Sequence, residues 1–224
     1  MYTALTTTRA GRRDLMAVTQ ATLRPGELFV DVGANVGIHS LAAAAVGAEV
    51  IAFEPDPHNQ ALIAASVCLN GFEPLVRLYP VGLGVGAARD CRLLKPLANI
   101  GDGQTDCDSG RCPTGSRSPL EGFQCTDFTV DEMSRYLPRQ AAMMKLDVEG
   151  FEQQAVLGGL AAFRRDGAPK LIVTECLASA AAARGQSTLF WQHLRREFGA
   201  LPRAYRWLAV LKDRRSPPCV PQLV

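Results

Sequence analysis

The 224-residue chain lacks charge of one sign: 24 Lys and Arg stand against 22 Asp and Glu, for a formal +2 and a pI near 8.2. So weak a balance leaves no electrostatic footprint for nucleic acid, and none is expected as a partner. Arg195, Arg196, Arg203, Arg206, Arg214 and Arg215 gather toward the end, where they read as a solvated helix face. No apolar run approaches the roughly 18–20 residues of a membrane span, and the N-terminus has no apolar signal core. A soluble, cytoplasmic protein is therefore expected, with no membrane partner. Residues 1–13 are Thr- and Arg-rich and acid-free, like an organelle transit peptide, yet the first main strand begins by Leu28 and leaves little to remove.

Histidine is scarce too. His39, His58 and His193 include no i, i+4 pair, which argues against a histidine metal site, and no metal is expected. His39 follows a glycine turn and is the one placed to face a pocket. The seven cysteines include no C-x-x-C. Cys68, Cys125 and Cys176 fit strand or helix patterns and read as reduced core thiols. Cys91, Cys107, Cys112 and Cys219 are harder to place. Cys107 and Cys112 fall in the polar stretch GDGQTDCDSGRCPTGSRSP at residues 101–119 and read as loop thiols close enough to cross-link.

At 47% hydrophobic and 21% charged residues, the chain suits one α/β domain around a single core. Residues 1–26 carry a lead-in helix over 14–23, stopped by Pro25-Gly26. Residues 27–83 hold strands at 28–31, 50–54 and 75–81 and helices at 40–46 and 57–70, the latter stopped by Asn70-Gly71. Residues 84–122 read as a variable loop insertion with a hairpin near 89–94. Over 123–211 the pattern predicts a short helix at 128–137, a strand at 142–146, a helix at 151–163, a strand at 171–174, a helix at 189–198 and a late strand at 205–211, before a tail at 212–224. Strands and helices alternating at this spacing make a doubly wound, mostly parallel sheet with helices on both faces.

The most informative stretch is FVDVGANVGIHS at residues 29–40, followed by VIAFEPDP at 50–57. It is a strand, a glycine-bearing turn, a helix and a second strand ending on a carboxylate, the opening unit of a nucleotide-binding sheet. Dinucleotide sites want G-x-G-x-x-G and a pyrophosphate on the helix N-terminus. Here the order is Asp31, Gly33, Ala34, Asn35, Val36, Gly37: Asn35 replaces the middle glycine and Asp31 would repel a pyrophosphate. Asp31 can instead receive the ammonium of an amino-acid moiety, as in S-adenosylmethionine, and Glu54 falls where ribose hydroxyls would lie. A ligand-free structural turn is the bland alternative. Strands also end at Asp147 with Glu149 and at Glu175, and ligand crevices lie beyond strand C-termini in such sheets. A carboxylate there can orient or deprotonate an attacking hydroxyl. Against that, Asp147 and Glu149 could cap the helix that begins near Gly150.

DVGANVG at residues 31–37, AFEPDPHN at 52–59, TVDEM at 129–133, KLDVEGFEQQAVLGG at 145–159 and VTEC at 173–176 together resemble the FkbM family of S-adenosylmethionine-dependent methyltransferases. The likeness runs from about Leu28 to Glu175. It implies a class I methyltransferase (Rossmann-like) fold, a seven-stranded sheet with a late antiparallel strand, and methyl transfer to a hydroxyl oxygen, often of a sugar or other small molecule. It carries over Asp31, Gly33, Asn35, Gly37 and Glu54 as cofactor contacts and Asp147 and Glu149 as the acids near the reacting centre, with Glu175 a further candidate. Val130 stands where the family has Leu, and the cysteine-bearing stretch at 98–119 is longer than the family pattern. Acceptor recognition there does not transfer, and the short lead-in leaves an N-terminal acceptor-binding portion in question. The alternatives are an NAD-dependent oxidoreductase, which needs the missing glycine, and a non-catalytic cofactor-binding module.

Overall fold

The computed structural model describes the backbone at residues 5–6, 9–98, 103–113, 122–176 and 206–211, and side chains at 15–98, 103–113 and 122–174. The elements run β1 (Leu5–Thr6), α1 (Arg9–Thr22), β2 (Leu28–Val32), α2 (Ile38–Ala45), β3 (Glu49–Phe53), α3 (Pro57–Asn70), β4 (Val76–Tyr79), β5 (Gly82–Leu83), β6 (Arg89–Pro96), β7 (Gln104–Asp106) and β8 (Phe123–Asp131). A 3-10 turn (Met133–Arg135), β9 (Met143–Leu146), α4 (Glu152–Asp166), β10 (Leu171–Cys176) and β11 (Arg206–Leu211) follow. Among the described residues no helix is long and apolar enough to cross a membrane.

The main sheet has the order β1-β11-β10-β9-β2-β3-β4, and every pairing in it is parallel. Its central strands are buried on both faces, as near-continuous apolar runs such as LFVDV and MMKL, each broken by one charge, require. Alternation divides them. Leu28, Val30, Val32, Phe53, Met144 and Leu146 join Val156 and Phe163 of α4 in one cluster, while Phe29, Val50, Ala52 and Met143 join Ala43 of α2 and Ile63 of α3 in another. From β2 the chain steps outward through β3 and β4, and from β9 it steps the other way through β10 and β11. The order therefore reverses between β2 and β9, and the crevice at such a switch point is where open α/β sheets take ligands.

Helix α3 matches the predicted span to the residue. Asp56 caps its N-terminus by accepting the His58 and Asn59 N–H groups, Pro57 starts it, and Gly71 in the left-handed region ends it. The late antiparallel strand that the resemblance implies is not seen among the described residues. β11 lies parallel to β10, from Leu171↔Arg206 to Cys176↔Leu211. Residues 177–205, which include the helix predicted at 189–198 and lie outside the described residues, give the dozen or more that a parallel crossover needs.

The largest departure is at residues 84–131. The predicted loop and helix are instead β6, β7 and β8, which with β5 make a second sheet of order β5-β8-β6-β7. FQCTDFTVD forms a strand, not a helix, because Phe128 and Val130 alternate inward and meet Cys91 and Leu93 of antiparallel β6. That cluster has four buried residues. Two disulfides supplement it, Cys91–Cys107 and Cys112–Cys125. Cys125 is thus bridged rather than reduced, and Cys68 is exposed on α3 rather than in the core.

Each bridge closes a short loop, of sequence separation 16 and 13, and loops of that size are worth about 3 kcal/mol. Reduction is expected to remove hydrogen-exchange protection from β6, β7 and β8 while amides of β2, β3 and β9 keep theirs. Uniform loss across both sheets would mean that the second sheet has no separate stability.

Candidate functional site

Three left-handed residues shape the turn after β2: Gly33 (φ 76°), Asn35 (φ 53°) and Gly37 (φ 82°). Asn35 adopts the conformation that the absent glycine would have supplied, which Asn tolerates better than most residues. Gly33 is required for a second reason. A Cβ there would collide with the Asp147 carbonyl, so the β2 and β9 ends approach closely only because residue 33 has no side chain. The Gly33 and Ala34 N–H groups donate to the Phe53 carbonyl, which ties the turn to the end of β3.

Glu54 follows directly. It is 4% exposed, and its carboxylate collects the Asn35 N–H at 2.7 Å, the Asp56 N–H at 3.0 Å and the Asn59 amide at 3.3 Å. Burial pushes its pKa up, against these hydrogen bonds and the nearby Lys95 charge, which pull it down. Three of about four acceptor positions are thus used within the chain, leaving room on Oε2 for one more donor.

Asp31 lies below this surface. It is fully buried, accepts the Ser40 hydroxyl at 2.7 Å and pairs with Lys145 Nζ at 3.6 Å. Parallel register makes Lys145 its direct cross-strand partner. Lys145 also donates to the Gly33 carbonyl at 2.7 Å and lies 3.6 Å from Asp147 Oδ2. Desolvation would lower its pKa, but Asp147, Asp31 and Glu54 together outweigh it and hold the ammonium above its ordinary value.

Asp147, one-third exposed, and Glu149, at φ 52°, sit on the loop after β9. The N-cap of α4 is Phe151, without a side-chain cap bond, and Glu152 of its first turn reaches back to the Val148 and Gly150 N–H groups. Burial raises the Glu152 pKa, opposed by those same bonds.

Gly33, Asn35, Glu54, Asp147 and Glu149 line one cleft of about 740 Å³, part of it open solvent. Asp31 and Gly37 do not line it, nor does His39, and the Glu175 side chain lies outside the described residues. Gly37 instead packs where a Cβ would crowd Ile63. The opposite wall is the second sheet, through Leu93, Lys95, Thr105, Phe128 and Val130. Lys95 crosses to the Asp56 carboxylate at 2.9 Å, with both side chains buried, and so joins the two sheets beside Glu54. The Asp56 pKa is lowered: burial would raise it, but Lys95 and the capping N–H groups prevail.

The sequence reading missed Lys145 and Lys95 as site residues. Lys145 did leave a signal, a lone cation inside the apolar strand AAMMKL. Lys95 left none, because the strand that carries it read as loop.

No curated protein matches the chain. Among solved structures it is similar to methyltransferase FkbM from Methylobacillus flagellatus KT, at 17% identity and a TM-score of 0.42, over 64% of this chain and 31% of that one. The chain thus spans about a third of that protein's length. It is also similar to precorrin-6y C5,15-methyltransferase from Geobacter metallireducens GS-15, at 13% identity and a TM-score of 0.46, over 86% of this chain and 76% of that one. The Methyltransferase FkbM domain profile matches residues 31–202, which is well over half of the chain and includes the glycine turn, Glu54, Lys145, Asp147 and Glu149. On that match the protein belongs to the FkbM methyltransferase family.

Proposed function

We propose that the protein is an S-adenosylmethionine-dependent O-methyltransferase acting on a hydroxyl of a small molecule or glycan. The observation that carries this is the acidic cleft at the switch point, which Glu54, Asp147 and Glu149 all line. Among the described residues its one basic lining residue, Lys95, is already paired with Asp56. Such a set of carboxylate acceptors fits a cationic sulfonium amino acid and disfavours a pyrophosphate, which supports this cofactor over NAD.

Within this proposal Glu54 accepts one ribose hydroxyl at its remaining lone pair, and the turn at Gly33 and Asn35 borders the methionine part. Asp31 acts from beneath, through Lys145, and not by direct contact. When bound, S-adenosylmethionine supplies an electrophilic methyl carbon with a good leaving group. The protein's task is then alignment of the acceptor oxygen at near-attack distance. Asp147 takes the proton that the acceptor hydroxyl releases as its oxygen–carbon bond forms, with Glu149 and then Glu175 as the next candidates.

Calorimetry tests the cofactor assignment. Micromolar binding of S-adenosylhomocysteine and no heat with NAD are expected. Micromolar NAD binding with no response to either sulfur compound would overturn it and favour an oxidoreductase. Transfer of a labelled methyl group to any acceptor in a small-molecule and glycan extract excludes a non-catalytic binding module.

A further inference from the structure

A charged side chain in the centre of a parallel sheet is costly to desolvate, and an apolar residue of similar length would pack at position 145 without that cost. Lys145 is 7% exposed, between Met144 and Leu146, both buried. Its ammonium meets three acceptors on both sides of the switch point: the Gly33 carbonyl after β2, the Asp147 carboxylate after β9, and Asp31 beneath them. Asp31 Oδ1 is buried without a hydrogen bond, and Lys145 at 3.6 Å is its compensating charge. Asp31, Lys145 and Asp147 thus form a row of three charges, buried at the first two and one-third exposed at Asp147.

We propose that Lys145 is a positioning residue, a buried tether that holds Asp147 as an anion in the cleft and fixes the Gly33 carbonyl across from it. The tether to Asp147 is a property of the unliganded protein. Its effect on the cofactor rests on the function proposed above.

Lys145→Met alone strands Asp31 and can prevent folding, so the test uses Asp31→Asn with Lys145→Met, which removes both buried charges. The Asp147 carboxyl is titrated by carbon-13 NMR without ligand, with Asp31, Glu54, Glu149 and Glu152 as the neighbouring acids. Loss of a cation within about 4 Å should move the Asp147 midpoint upward, within the roughly 1–3 pH units typical of such pairs. In the same folded double variant the Gly33 carbonyl loses its Lys145 donor, and S-adenosylhomocysteine affinity should fall about tenfold, the scale of that one charge-assisted hydrogen bond. An unchanged Asp147 midpoint overturns the tether. So does a double variant with wild-type cofactor affinity and midpoint, because the pair would then serve packing alone. A raised midpoint in a protein whose wild type binds no S-adenosylhomocysteine upholds the tether and rejects the cofactor reading. If the double variant does not fold, the wild type still decides: the Lys145 nitrogen-15 resonance should shift as Asp147 titrates, and a flat response overturns the proposal.

Discussion

Asp147→Asn is expected to slow methyl transfer by roughly 10²–10⁴-fold at saturating cofactor, with little loss of cofactor affinity. The substitution keeps the shape of the side chain and removes its capacity to take a proton. Asp147 stands at the end of β9, lines the cleft and is one-third exposed, so an acceptor hydroxyl can reach it. The Lys145 ammonium at 3.6 Å favours the carboxylate, the form in which it can serve as base. A helix-capping role would instead predict a stability loss of about 0.5–2 kcal/mol with the rate intact. The N-cap of α4 is Phe151, and Glu152 takes the Val148 and Gly150 N–H groups of the loop. Near-wild-type turnover in a folded Asp147→Asn protein would move the base to Glu149 or Glu175.

Glu54→Ala should cost about one to two decades of S-adenosylhomocysteine affinity, the worth of a charged hydrogen bond at roughly 1.5–3 kcal/mol. It should also destabilise the free protein. The Asn35 N–H, the Asp56 N–H and the Asn59 amide all converge on this carboxylate, and each donor left unpaired costs about 1–3 kcal/mol. Glu54→Gln separates the two effects, since it retains one acceptor oxygen and most of the volume. The sign of the pH effect follows from burial. Glu54 binds its proton more tightly folded than unfolded, so its ionisation costs stability as pH rises from the ordinary 4.5 through the higher folded value. Urea titrations between pH 4 and 8 should show Glu54→Gln losing less stability with rising pH than the wild type. Parallel curves, or unchanged cofactor affinity in folded Glu54→Ala, would remove Glu54 from the site.

Much of this was legible in the residues because it is local. Helix α3 carries its own Asp56 cap, its Pro57 start and its Gly71 stop, and positions 33, 35 and 37 hold the residue types that tolerate positive φ. Central strands such as LFVDV and MMKL announce burial on both faces by being apolar at every position but one, Asp31 and Lys145 respectively. Glu54 and Asp147 could be assigned to the crevice because each follows such a strand, and in an alternating fold strand ends face the ligand.

The remainder depended on contacts between distant segments, which no local pattern encodes. Residues 123–131 form a strand because β6, some thirty residues earlier, offers an antiparallel partner and a shared apolar face. The same pairing brings Cys125 within reach of Cys112 and carries Lys95 over to Asp56. Asp31 shows the limit most clearly. From sequence it was an acid at a strand tip, free to meet a ligand. In the fold it is wholly buried, on the same face of β2 as Phe29, and the parallel register with β9 sets Lys145 directly beside it. A residue's type and its place in a strand were readable in the chain by itself. What covered each face of that strand, and which charge from a distant segment met it there, were decided only when the sheet assembled, because register and burial are properties of paired strands.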